Sequence, residues 1–105
     1  MKTEEIISDL IKPLIVSGVY KDEMVALKDI VADYIQRKIK TYDEITQNMQ
    51  NKYHKNFQTF TQYLKNKATM ELEEDWMDWK GAIEMKEAWE KALKGVIDSA
   101  AEIED

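Results

Sequence analysis

The residues that could do chemistry in this chain begin with its single histidine. His54 stands beside Lys55 in a polar stretch, with no nucleophile and no orienting carboxylate near it in the sequence. A histidine that acts as a base needs both of those groups in place. We therefore expect His54 to have a surface or helix-capping role, and we predict no catalytic residue and no enzymatic activity.

A second group of chemical interest is a set of acids at helical spacing, namely Glu71, Glu74, Asp75 and Asp78. A di-iron bundle needs Glu-x-x-His pairs from two helices, which one histidine cannot supply. The chain also has no cysteine, no EF-hand loop and no glycine-rich phosphate loop. The sequence thus predicts no bound metal or cofactor, and a solvated helix face for these acids.

The elements that carry these residues are predicted to be helices. Three glycines and one proline in 105 residues leave few turn residues for a β-fold, while the 44% hydrophobic share suffices for one core. We expect an all-α protein of about four helices, built around one long central helix. The acidic N-terminus lacks the layout of a signal peptide, and no stretch is apolar enough to span a membrane. We therefore expect a soluble, cytoplasmic protein.

The first helix is predicted from about residue 4 to residue 16, with Thr3 as its N-cap. Pro13 should kink this helix or end it early, because proline removes a backbone hydrogen bond. Gly18 then suits the left-handed conformation that follows many helices.

The second helix is the most clearly marked and is long, with Asp22 as its predicted N-cap and Tyr53 near its end. Roughly thirty residues at 1.5 Å each give about 45 Å, whereas a compact domain of this length is roughly 35 Å across. We predict that the helix breaks or that a second chain covers its overhang, as in a homodimeric coiled coil. The residues expected to mediate self-association are Leu27, Val31, Ile35, Ile39, Tyr42 and Ile45.

The rest of the chain predicts two further helices. Asn56 is placed to cap a short third helix with Phe57 and Phe60 on one face, and a fourth helix begins near Thr69. The apolar face of the fourth helix rotates near Gly81, which predicts two docking segments joined at a weak point. We divide the chain into residues 1–68, a helical core and self-association region, and residues 69–105, an acidic, Trp-rich arm.

Charge is distributed unevenly along the chain. Residues 36–67 carry seven basic and two acidic side chains, for a net charge of +5, while residues 68–105 carry four and twelve, for −8. This asymmetry favours either contact between the two segments or oppositely charged partners. The negative total of −6 and the single arginine argue against binding of nucleic acid by the isolated chain, and against a membrane surface.

Several short motifs follow one another along the chain in an order that resembles the order found in a known protein family. They are residues 18–23 (Gly-Val-Tyr-Lys-Asp-Glu), the Lys52-Tyr53 corner before residues 57–60 (Phe-Gln-Thr-Phe), and residues 74–79 (Glu-Asp-Trp-Met-Asp-Trp). This layout resembles small antitoxin-like proteins of prokaryotic toxin–antitoxin pairs. The resemblance implies a non-enzymatic protein that neutralises a basic toxin by masking its active site.

On that interpretation the acidic arm binds the toxin through tryptophan anchors and carboxylates. The predicted partner-binding residues are Glu74, Asp75, Trp76, Asp78, Trp79, Ile83 and Trp89. The alternative is a self-associating helical adaptor without a toxin partner, whose tryptophans lie in its own dimer core. The adaptor should bury all three tryptophans in the isolated protein, whereas the antitoxin should leave at least one accessible.

Overall fold

A computed structural model describes residues 2–104 of the chain, and the side chains of residues 2–99. Its four helices are α1 (Thr3–Val16), α2 (Glu23–Tyr53), α3 (Phe57–Lys67) and α4 (Met70–Glu104). Residues 2–104 contain no strand. The predicted all-α fold with four helices and one long central helix is therefore confirmed.

The two long helices, α2 and α4, lie side by side and run in opposite directions. Tyr34 of α2 contacts Trp89 of α4, with the ring centroids 5.8 Å apart. Further along α2, Lys52 donates a hydrogen bond of 2.7 Å to Asp75 of α4. Because positions on α4 fall as positions on α2 rise, the pair is an antiparallel hairpin, and the molecule measures 60 × 26 × 26 Å.

The overhang of α2 is covered by the chain itself. The helix is continuous for 31 residues, and α4 packs along it. The radius of gyration is 19.8 Å, against about 13 Å for a compact domain of this size. The predicted self-association stripe faces α4: Ile35 is buried, and Leu27 and Val31 line a groove together with Val96. The length of α2 therefore gives no reason to expect a second chain on this face.

The predicted end of α1 at residue 16 is confirmed, so Pro13 does not end the helix early, and the backbone N–H groups of Ser17 and Gly18 bond to carbonyl groups of its last turn. The predicted N-cap is wrong. Thr3 is the first helical residue, and the N-cap position is Lys2, whose carbonyl accepts the first helical hydrogen bonds. The predicted left-handed conformation of Gly18 is confirmed, with a φ angle of 83°.

The other helices begin where their caps predict. The backbone N–H groups of Val25, Thr59 and Leu72 donate to the side chains of Asp22, Asn56 and Thr69, at 2.9, 2.8 and 3.2 Å respectively. At the corner between α2 and α3, His54 adopts a left-handed φ of 54° as the C-cap of α2, and its side chain is exposed.

The core contains the most deeply buried side chains of residues 2–99. These are Ile11, Ala26, Ile35, Phe60, Trp79 and Ala82. Since α4 supplies two of them, the segment after residue 68 packs into the same core as the segment before it. The helix is also unbroken through Gly81. The apolar face rotates near Gly81 because α4 packs on the aromatic rings of α3 before this residue and packs along α2 after it.

Candidate partner-binding surface

Trp79, a predicted partner anchor, lies instead at the centre of the core. Its side chain is 2% exposed. The ring centroid is 5.4 Å from those of both Phe57 and Phe60, in edge-on and tilted arrangements. Such pairs add to the free energy of burial. Trp79 is therefore not available to a partner while the fold is intact, and its role in the free protein is to hold α4 on α3.

Trp76 is half-buried and is held by both a ring contact and a hydrogen bond. Its indole stacks on Phe57 at 5.9 Å between centroids, and Nε1 donates to Thr61 Oγ1 at 2.9 Å. The side chain also lines a groove between α3 and α4 of about 380 Å³. Trp76 thus keeps one accessible face, and it is the predicted anchor that could still contact a partner near the start of α4.

Trp89 and Ile83, the other predicted apolar anchors, are half-buried along the α2–α4 hairpin. Trp89 meets Tyr34 edge-on. Its Nε1 is buried with no hydrogen-bond acceptor among the side chains that the structure describes. Ile83 lines a shallow pocket with Trp79 and Lys86. None of the three tryptophans is exposed in the isolated chain.

Asp75 joins the α2–α3 corner to α4 rather than pointing to solvent. Its carboxylate accepts hydrogen bonds from Lys52 Nζ at 2.7 Å and from the Tyr53 hydroxyl. The hydrogen bond from Lys52, followed by that from Tyr53, lowers the pKa of Asp75. Burial, followed by the hydrogen bond to Asp75, raises the pKa of Tyr53. This cluster, the Lys52–Tyr53–Asp75 staple, connects the basic and acidic segments of the sequence.

The staple predicts an acid-dependent loss of stability. A lowered folded-state pKa means that Asp75 stabilises the fold above its unfolded pKa, and that this contribution is lost progressively as the pH falls from roughly 4 through the lowered pKa. We expect Asp75→Asn to reduce the free energy of unfolding by about 1 kcal/mol at neutral pH, and to flatten its dependence on acid. Urea unfolding at about pH 7 and about pH 3 measures both effects.

The control for this prediction is Asp78→Asn, which removes a carboxylate of the same helix from an exposed position. We expect it to leave the free energy of unfolding nearly unchanged at both pH values. An acid dependence of Asp75→Asn equal to that of the wild-type chain would contradict the assignment.

Two exposed methionines and two exposed acids near the start of α4 share one face. Positions 70, 74 and 77 follow the steps of four and three that align side chains along a helix. Met70 is 77% exposed and Met77 is 66% exposed. Glu74 lies between them, and Asp78 follows directly after Met77. We call these four residues the α4 outer face.

The α4 outer face borders the groove between α3 and α4. This groove is lined by Thr61, Leu64, Lys65, Ala68, Glu73, Trp76 and Met77. The pattern of tryptophans in the sequence did not reveal the two methionines as a separate face, because Met70 and Met77 lie at a different angle around the helix from the tryptophans. The spacing of the methionines with Glu74 could have shown this second face. Of the predicted partner-binding residues, Glu74 and Asp78 lie on it and Trp76 adjoins it.

Many cations of the basic segment are engaged within the chain. Lys52 pairs with Asp75 and lies 3.8 Å from Glu71, while Arg37 pairs with Asp33 at 2.8 Å. The ammonium groups of Lys38, Lys55 and Lys67 lie over the rings of Tyr34 and Tyr63. Through Lys52 the basic segment contacts the acidic segment, which is one of the two alternatives that the charge distribution predicted.

Residues 2–99 hold no cluster of three acids, histidines or cysteines arranged to bind a metal ion. His54 is an exposed helix cap. Across the residues described, none of the helices is long and apolar enough to cross a membrane.

The fold and surface define the class of protein as a helical hairpin, α2 with α4, that carries two shorter helices and an open groove beside α3. No protein-family model matches this chain, and comparison with curated proteins and solved structures found no match. The resemblance to antitoxins therefore depends on the sequence motifs alone.

Proposed function

We propose that this protein is a non-enzymatic binding protein that acts as an antitoxin, and that it masks a basic toxin with the α4 outer face and the adjoining groove. The observation that carries the proposal is the combination of exposed Met70 and Met77 with the carboxylates of Glu74 and Asp78 on one helix face. An apolar centre with charges at its edge is the usual composition of a protein interface.

The methionines supply the contact area of the proposed interface. An unbranched, polarisable side chain adapts to the shape of a partner, and burying one contributes about 1.5–3 kcal/mol. The groove of about 380 Å³ beside Met77 offers space for an apolar side chain of the toxin. Trp76 forms one wall of this groove and is fixed there by its hydrogen bond to Thr61.

The carboxylates select the partner. Residues 68–105 have a net charge of −8. Glu74 and Asp78 are exposed, and neither takes part in the Lys52–Tyr53–Asp75 staple. Such a surface attracts a cationic groove, and it does so more weakly as salt increases. A toxin that handles RNA or nucleotides has a groove of that kind, which agrees with what the resemblance implies.

The test begins with a pull-down of the tagged chain from its native cells, with bound proteins identified by mass spectrometry. The partner is then purified, and its affinity is measured for the wild-type chain and for Met77→Lys. We expect Met77→Lys to weaken binding by about 2 kcal/mol or more, and to abolish rescue of cells that express the toxin. Charge reversal at Glu74 and Asp78 should mainly slow association.

The matched control is Val19→Lys, since Val19 is 65% exposed and lies in the loop between α1 and α2. This variant should bind as the wild-type chain does. Equal binding by Met77→Lys would show that the α4 outer face is not the interface. A partner without effect on cell growth would refute the antitoxin assignment while leaving a binding function.

The self-associating adaptor remains the second candidate function. It is favoured by the position of the tryptophans, because Trp79 is buried and Trp76 and Trp89 contact rings of the same chain. Fluorescence quenching distinguishes the two functions. If the protein is an antitoxin, adding the toxin should cover Trp76 and reduce the quenching of its fluorescence. An adaptor has no toxin partner, so the quenching of Trp76 should not change.

A further inference from the structure

One part of this acidic chain contains no acid. The chain has 21 acidic residues in 105, yet none of them lies in residues 45–69. Those residues form the end of α2, the whole of α3 and the connections on either side of α3, and they include Lys52, Lys55, Lys65 and Lys67. The net charge of −6 for the whole chain therefore does not describe the surface that α3 presents to solvent.

The solvent side of α3 is a row of amides. Steps of four residues lead from Gln58 to Gln62 and from Gln62 to Asn66, so these side chains align along the helix. All three are exposed, and Gln62 lies about 160° around the helix from the buried Phe60. Because Phe60 contacts Trp79 of α4, the row is on the side of α3 that faces away from α4.

Lysines flank this row on both sides. Lys65 is exposed and lies about 60° to one side of Gln62. Tyr63 lies about 100° to the other side, and the ammonium groups of Lys55 and Lys67 are 5.1 and 5.7 Å from its ring centroid. In the part of the chain whose side chains are described, none of these three lysines pairs with a carboxylate.

A ring contact leaves the charge of an ammonium group in place, so these lysines can still attract an anion. The amide row and its flanks form a surface that we call the α3 outer face. Its residues are Gln58, Gln62, Tyr63, Lys65, Asn66 and Lys67.

We propose that the α3 outer face binds duplex DNA, with its lysines on the phosphates of the two strands and its amides between them. Lysine, asparagine, glutamine and tyrosine are among the side chains that contact DNA phosphates and sugars. Asparagine and glutamine also bond to base edges, and the major groove of B-DNA, about 12 Å wide, admits one α-helix. The order of cation, amide and cation across α3 matches the order of phosphate, base edge and phosphate across that groove.

Other partners match this face less well. A protein interface has an apolar centre, as the α4 outer face has in Met70 and Met77, whereas none of the six residues of the α3 outer face is aliphatic. A single strand stacks its bases on open aromatic rings, but two ammonium groups already lie over the ring of Tyr63. DNA binding goes beyond the proposed masking of a toxin and uses a different helix, so either proposal can fail without the other.

Fluorescence anisotropy of a labelled DNA duplex of mixed sequence measures binding by the full chain from about 50 to about 200 mM salt. We expect the logarithm of the binding constant to fall linearly with the logarithm of the salt concentration. The double variant Lys65→Gln and Lys67→Gln should make this slope shallower by about 1.8, because each lost phosphate contact removes about 0.9. A single strand of the same sequence should bind more weakly than the duplex.

An isosteric pair of variants tests the position of the contact. Gln62→Glu places a carboxylate in the amide row and should raise the dissociation constant roughly fivefold, as expected for two like charges about 4 Å apart in water. Gln36→Glu makes the same change at an exposed position in α2, far from α3 along that helix, and should leave the dissociation constant nearly unchanged. Both variants have the same net charge, so the difference between them reports the location. Circular dichroism establishes that each variant keeps its helices.

Four results would overturn the proposal. Two are the absence of salt-dependent duplex binding at about 50 mM salt with up to about 100 μM protein, and equal weakening by Gln62→Glu and Gln36→Glu. The third is a single strand that binds as tightly as the duplex. The fourth is displacement of the duplex by polyglutamate as effectively as by unlabelled duplex, which would mean that the α3 outer face accepts an acidic protein instead.

Discussion

Trp79→Ala is expected to lower the free energy of unfolding by about 3–5 kcal/mol, which is a large part of the stability of a domain this small. The indole is 2% exposed and contacts the rings of Phe57 and Phe60. Alanine would leave a cavity that the surrounding helices can fill only in part. Urea unfolding followed by circular dichroism at about pH 7 measures the loss.

Two controls separate this core effect from the removal of any large side chain of α4. Trp76→Ala removes a half-buried indole and its hydrogen bond to Thr61, and should cost less than Trp79→Ala. Met77→Ala removes a side chain that is 66% exposed and should change the free energy of unfolding by less than about 0.5 kcal/mol. Equal losses for Trp79→Ala and Met77→Ala would contradict the burial of Trp79.

The helices could be predicted from the sequence because their signals are local. Asp22, Asn56 and Thr69 each bond to a backbone N–H three residues ahead, so a single residue type at a single spacing marks where each helix begins. Pro13 was a weaker signal for where α1 ends. Its missing N–H removes one bond, but the carbonyls of the last turn still bond Ser17 and Gly18, so α1 continues.

The candidate site was harder to predict because periodicity does not say what covers a face. Trp79 and Met77 are both apolar residues of one helix, yet one is buried and the other faces solvent. Which of them faces inward is decided by where α3 and α2 lie. The same limitation applies to α2, whose apolar stripe is compatible with α4 or with another chain. Only the packing of α4 along α2 distinguishes the two.

Removal of residues 69–105 is expected to have the largest effect of all, namely loss of most of the helical structure in the remaining chain. α4 packs along α2, where Ile35 is buried, and contacts Phe60 of α3, and both side chains are 4% exposed or less in the intact protein. Without α4 the remaining helices would lose most of their apolar contacts, and helices that depend on tertiary packing are marginal alone. Far-UV circular dichroism of residues 1–68 measures the loss.

Mixing the two fragments tests whether α4 is part of the core or a separable arm. If α4 completes the core, a peptide of residues 69–105 should restore helicity and cooperative unfolding to residues 1–68. The same peptide with Trp79→Ala should restore them far less, because it lacks the side chain that packs between Phe57 and Phe60. If residues 1–68 alone keep their helicity and unfold cooperatively, the segment after residue 68 is an arm, as its composition suggested. Loss of partner binding on truncation could then be ascribed to the arm itself, whereas an unfolded fragment would lose binding for a different reason.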